Sequence, residues 1–191
     1  MISPRNLAFL FGALVCGSFN QLLLADEGCP DLERKDAAAH LEYLRGDRGT
    51  LSSKCVLASI RYIASKRYMQ ASATLIQYLE YPDTVATARR GIILEIYPAI
   101  DALCALHKSV VPELTAAIAG ADTAQLAREN AALTILLIYS ASQPEAITAL
   151  VSAAHSQTDP TAATRLMDKA RWLTARCIGT NRNECENAVL K

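Results

Sequence analysis

The sequence predicts an all-α fold, an α-solenoid of about four antiparallel helical hairpins. Three observations carry that prediction. Apolar runs such as "RGIILEIY" and "ALTILLIYS" lie inside segments of 15 or more residues with helical spacing and Ala-rich flanks, too long for strands. The frame "DTVATAR" at 83–89 returns as "DTAQLAR" at 122–128 and "DPTAATR" at 159–165. Turn aspartates at Asp47, Asp83, Asp122 and Asp159 are spaced by 36, 39 and 37 residues, a period that belongs to stacked helical hairpins.

Composition bounds the class. The 191 residues are 51% hydrophobic, enough for a packed core. Nineteen basic side chains balance 19 acidic ones, so net charge favours neither nucleic acid nor an anionic membrane surface as partner. Residues 1–25 carry one charge, Arg5, an apolar stretch "LAFLFGALVCGSF", and small Ala25 before "DEG". This is the layout of a secretory signal peptide cleaved after Ala25. The alternative is an uncleaved anchor, although Asn20 and Gln21 interrupt the apolar span. Bulky Val15 argues against lipid attachment at Cys16.

Helices are then expected in pairs, near 31–45 and 52–66, 68–80 and 85–106, 109–120 and 124–140, and 142–155 and 161–178. Ser109 before Pro112 and Glu113, Ser142 before Pro144 and Glu145, and Asp159 before Pro160 are helix-start signals. Gly46, Gly49, Gly120 and the "EYPD" turn mark stops. The repeat domain spans 26–178, and residues 179–191 form a tail expected to pack on the last helix.

Six residues turn a helix about 240° net, so the Asp and Arg of one frame should not face each other. Each turn Asp is expected to cap the helix that follows it. Each Arg is expected to reach the turn Asp of the neighbouring unit. That would build a ladder from Asp83, Arg89, Asp122, Arg128, Asp159 and Arg165.

The turn Asp with Arg six later, preceded by a helix such as "VVPELTAAIAGAD", resembles the HEAT repeat over most of residues 36–178. The first unit departs from the pattern, because Asp47 is followed by Ser53 with Lys54 one place late. The resemblance implies a right-handed superhelix that serves as a scaffold or binding surface, with the second helix of each unit lining the concave side. Tetratricopeptide arrays have a shorter period, about 34 residues.

Chemistry is sparse. Cys177 and Cys185 are expected to pair and clamp the C-terminal end, and Cys29 with Cys55 is the candidate pair for the N-terminal end if residues 29–34 run back along the first hairpin. Cys104, among Leu103, Ala105 and Leu106, reads as a small core side chain. Cys104 and His107 have no third member for a metal site or a nucleophile pair, and no Gly-rich phosphate loop is present. No catalytic residue, metal or cofactor is expected.

Aligning the second helices on their arginines puts Ile93, Ile96 and Tyr97 beside Ala132, Ile135 and Leu136 as the inward column, which Trp172 joins. Glu95, Asn130, Thr134 and Arg171 fall on the opposite column, a candidate contact strip for a protein or peptide partner. The function expected is therefore an exported, non-catalytic adaptor, secreted or periplasmic. Two rivals are a small-molecule binder or enzyme with a concave site, and a structural subunit that associates through the ends of its stack.

Overall fold

The computed structural model describes residue 29, residues 31–177 and residues 182–190, and all regular structure in them is helical. The leader read at residues 1–25 lies outside them. The order is α1 (Ala37–Leu44), α2 (Ser53–Lys66), α3 (Ser72–Ile76), α4 (Thr84–Ala88), α5 (Ile93–Ile96), α6 (Pro98–Ala105), α7 (Val111–Ala119), α8 (Gln125–Ile138), α9 (Gln143–His155), α10 (Pro160–Thr174) and α11 (Arg182–Val189). Helix α1 packs on α2, α7 on α8 and α9 on α10, while α2, α6, α8 and α10 touch in succession, as do α3, α7 and α9. A single apolar cluster runs through them from Leu41 to Ala188, with Ile60, Leu75, Leu103, Leu114, Ile135, Ile147 and Leu166 fully buried. Burial of such side chains, at about 25 cal/mol per Å², is the main stabilising term.

The helix expected over 85–106 is three helices. Arg90 adopts a left-handed conformation (φ 57°), and the amides of Arg90 and Gly91 bond back to Thr87 and Ala86, a Schellman stop for α4. Pro98 then forces Tyr97 out of the helical region (φ −121°, ψ 82°), which separates α5 from α6. Helix α2 ends in the same way, on left-handed Arg67, whose neighbour Tyr68 donates to the Ile63 carbonyl. Arginine thus occupies two stops where glycine is the usual residue.

The charge ladder does not form. Asp83 and Asp159 do cap α4 and α10, each accepting two backbone amides, and Asp36 caps α1. Asp122 does not cap, because α8 begins two residues later than the repeat suggests, after Ala124. Arg89 pairs with Glu95 at 3.4 Å, and Asp83 takes Arg61 instead. Arg165 lies 3.8 Å from Asp159 of its own frame, since a capping residue stands off the helix and the long Arg side chain folds back toward it.

What the arginines hold is backbone. Arg128 donates to the carbonyls of Gly120 (3.1 Å) and Ala121 (2.9 Å), just past the end of α7, and Arg165 donates to that of Ala119, the last residue of α7 (2.8 Å from Nε). The last carbonyls of a helix lack intrahelical donors and carry the negative end of its dipole, so a guanidinium suits them. Other donors treat the earlier helices alike. Tyr78 donates its hydroxyl to Leu44, the last residue of α1 (2.7 Å), and Asn130 of α8 donates its amide to Leu79, in the turns that extend α3 (2.6 Å). Each of these helix ends is closed by a side chain from a later element.

Two disulfides bind the ends of the fold. Cys29–Cys55 ties the segment before α1 to the first turn of α2, with a Cα separation of 5.5 Å. The chain reaches it because α1 starts at Ala37 rather than 31, which leaves residues 31–36 outside the helix. There the segment covers His40, whose Nδ1 shares a hydrogen bond with the Ser59 hydroxyl and whose ring stacks on Tyr62. Cys177–Cys185 ties the end of α10 to α11, and α11 lies against both α9 and α10. Cys104 belongs to neither and is buried.

Replacing Asn130 with Leu leaves the Leu79 carbonyl buried without its donor, and should cost about 1–3 kcal/mol in urea unfolding. Leucine has the same number and branching of side-chain heavy atoms as asparagine, though its methyls are bulkier, so a loss near zero would show that this bond contributes nothing to coupling α8 with α3.

Candidate functional site

The contact strip expected from sequence is not a strip. Thr134 is fully buried and Asn130 is 4% exposed, because α8 is packed by α6, α7, α9 and α10 and buries most of its circumference. The Thr134 hydroxyl donates to the Asn130 carbonyl one turn back. Glu95 is engaged by Arg89, and exposed Arg171 pairs with Asp168 within α10. The alignment that joined them assumed one helix through residues 91 and 95, where the chain in fact breaks at Arg90–Gly91. Trp172, expected in the core, is only half-buried, in contact with Lys169 and with Arg176, whose guanidinium lies 3.5 Å from the ring centre. Lys169 reaches Glu129 of α8 at 3.4 Å.

A different set of side chains converges. On α2, Lys54, Leu57 and Arg61 lie three and four residues apart on one face, and that face looks across at Asp83, Val85, Ala86 and Arg89 around α4. Between them runs an open groove of about 290 Å³. Asp83 anchors it. Its Oδ1 accepts from the amides of Val85 (2.9 Å) and Ala86 (3.1 Å), and its Oδ2 accepts from Arg61 at 2.6 Å. Burial alone would raise the Asp83 pKa, but the Ala86 amide, the Arg61 bond and charge, and the Val85 amide outweigh it and hold the carboxyl below the ordinary aspartate range. Asp83 is therefore ionised with both oxygens engaged, and Arg61 is fixed in place by it. Lys54 has no ion pair among the described residues, and Val85 is 71% exposed on the groove wall.

Sequence reasoning singled out Asp83 and Arg89 for a ladder and missed Lys54 and Arg61. The signal was present, since two cations seven residues apart share a helix face, but only the tertiary approach of α4 gives them a facing wall.

Other groups offer less. Asp101 on α6 is exposed yet closely surrounded by protein, and desolvation raises its pKa. The Cys104 sulfur lies 4.0 Å from the Thr134 carbonyl, sealed from solvent, while His107 sits exposed and left-handed past the end of α6. They do not form a nucleophile and base. A second, mainly apolar groove lies between α10 and α11, lined by Arg171, Thr174, Glu186, Val189 and Leu190. Among the described residues no three His, Cys, Asp or Glu side chains are placed to share a metal ion, and no single helix is long and apolar enough to cross a membrane. No protein-family model, curated protein or solved structure matches the chain.

The depressed Asp83 pKa has a signed consequence. A carboxyl held below its unfolded value of about 3.9 contributes stability that is present above that value and lost as pH falls through the folded-state pKa. Asp83→Asn retains a capping oxygen but loses the charge pair. Because Arg61 is partly exposed, the variant should lose at most about 1 kcal/mol at neutral pH. Acid titration of unfolding free energy should be flatter for the variant than for wild type below about pH 4. Parallel curves would mean that Asp83 is not perturbed.

Proposed function

We propose that the protein is an exported, non-catalytic scaffold or adaptor, a HEAT-like right-handed stack of helical hairpins that presents a groove to a protein or peptide partner. Support for the stack comes from the pairing of consecutive helices and from the two series, α2–α6–α8–α10 and α3–α7–α9, that touch in sequence order. Support for export comes from the two disulfides, which are more typical of extracytoplasmic proteins, together with the signal-like composition of residues 1–25.

The observation that carries the partner reading is the α2–α4 groove itself. It is open, it combines fixed charges with exposed aliphatic surface, and its walls are α2, which packs in the core through Val56, Ile60 and Ile63, and α4, whose capping Asp83 is tied to α2 through Arg61. Such mixed surfaces suit chain-like partners better than enclosed small molecules, which need a deeper recess.

A photo-crosslinking residue at Val85, with Thr148 on the exposed face of α9 as control, tests the reading in the native compartment. A discrete partner should be captured from Val85 alone, and its binding should be reproduced with purified components. Equal capture from both positions, or none, would contradict the groove as the partner surface.

A further inference from the structure

The α2–α4 groove has a charge bias that the chain as a whole lacks. Three cations line it, Lys54, Arg61 and Arg89, against one lining carboxylate, Asp83, in a protein whose 19 basic and 19 acidic side chains balance. Asp83 cannot neutralise the set. Its oxygens are already committed to two backbone amides and to one Arg61 nitrogen. Arg61 makes no other hydrogen bond or ion pair among the described residues, so the rest of its guanidinium fork remains to be satisfied by water or by a ligand. Lys54 at the open end has no carboxylate partner among the described residues. The one ion pair of Arg89 among the described residues is with Glu95 at 3.4 Å, with both side chains more than a third exposed, a pairing that water and ions screen and that an incoming anion can displace.

Apolar groups stand between the charges. Leu57 lies one turn from both Lys54 and Arg61, and Val85 faces it from α4, where it is among the few large apolar side chains exposed in the fold. The groove therefore alternates a fixed cation, an aliphatic wall and a second cation.

We propose that this groove binds an acidic segment of a protein partner, with a carboxylate seated between Lys54 and the unused face of Arg61 and a neighbouring aliphatic side chain laid on Leu57 and Val85. The assignment rests on the adaptor reading above and adds the chemistry of the bound segment. Charge complementarity selects that occupant. A neutral or basic segment would leave Lys54 without an ion pair and the unused side of Arg61 without an acceptor, whereas an acidic one gains charge-assisted hydrogen bonds from a guanidinium that Asp83 already holds in position. Free inorganic anions would use the cations but not the aliphatic wall.

The test is an NMR titration of the full chain with a synthetic peptide of alternating Glu and Leu, blocked at both ends. Its Gln-for-Glu isostere and inorganic phosphate serve as comparisons. The Glu peptide should shift the amide signals of α2 and α4, and should bind at least tenfold more tightly than the Gln peptide and than phosphate. Lys54→Glu, an exposed change that leaves the Arg61–Asp83 pair intact, should weaken the Glu peptide at least tenfold, and raising the salt concentration should weaken it further. Equal binding of the Gln peptide, equal effects from phosphate, unchanged affinity in Lys54→Glu, or no binding of the Glu peptide would each overturn the proposal. The two readings fail separately. A partner captured and reconstituted through Val85 alongside a failed peptide titration removes the acidic preference and leaves the adaptor. Peptide binding without any captured partner does the reverse.

Discussion

The carbonyl ends of the helices α1, α3 and α7 are the constraint around which the other contacts are arranged. Each leaves acceptors that its own helix cannot satisfy, and each lies in the interior, away from water that could satisfy them. Tyr78, Asn130 and Arg165 meet the demand, and each comes from an element later in the chain. Such a bond is worth about 0.5–1.5 kcal/mol net, less than the apolar burial beside it. Its value is directional. Apolar surfaces slide at little cost, whereas a donor aimed at one carbonyl selects one register between neighbouring helices.

The ends of the molecule need other devices because there the succession stops. At the start, the Cys29–Cys55 bridge ties the segment before α1 to the beginning of α2, and Leu32 of that segment bonds to His40 through its backbone. At the finish, α11 covers α9 and α10 and is held by Cys177–Cys185. Cross-links that close loops of this kind are typically worth about 2–4 kcal/mol. They also leave the middle of the fold to be organised by packing, and the groove between α2 and α4 lies close to the first of the two bridges, on α2 itself.

The legible and illegible parts of the sequence divide by range. Helical spacing, the capping role of Asp83 and Asp159, and the pairing of both terminal cysteine couples could be read locally, because a cap needs only the next three residues and a tail need only fold back. The destination of the arginines could not. The repeated frame suggested a repeated partner, but the requirement that recurs is a helix end in want of a donor, and Tyr, Asn and Arg all supply one. Pro98 was visible and would have divided the helix expected over 85–106. Keeping that helix whole carried the alignment through the break at Arg90 and Gly91, and so placed Thr134 and Asn130 on a surface when α8 buries them. The groove is illegible in the sequence for a related reason. Its cations belong to two helices that the sequence assigns to different units.

If donors from later elements close the ends of earlier helices, the side-chain amide of Asn130 should report it most directly. That group donates to the Leu79 carbonyl from a buried position. Its protons should therefore exchange with solvent orders of magnitude more slowly than those of exposed Asn183 and Asn187, and should show nuclear Overhauser contacts to the backbone around Leu79. Exchange of the Asn130 amide at the rate of the two exposed asparagines, without those contacts, would contradict it.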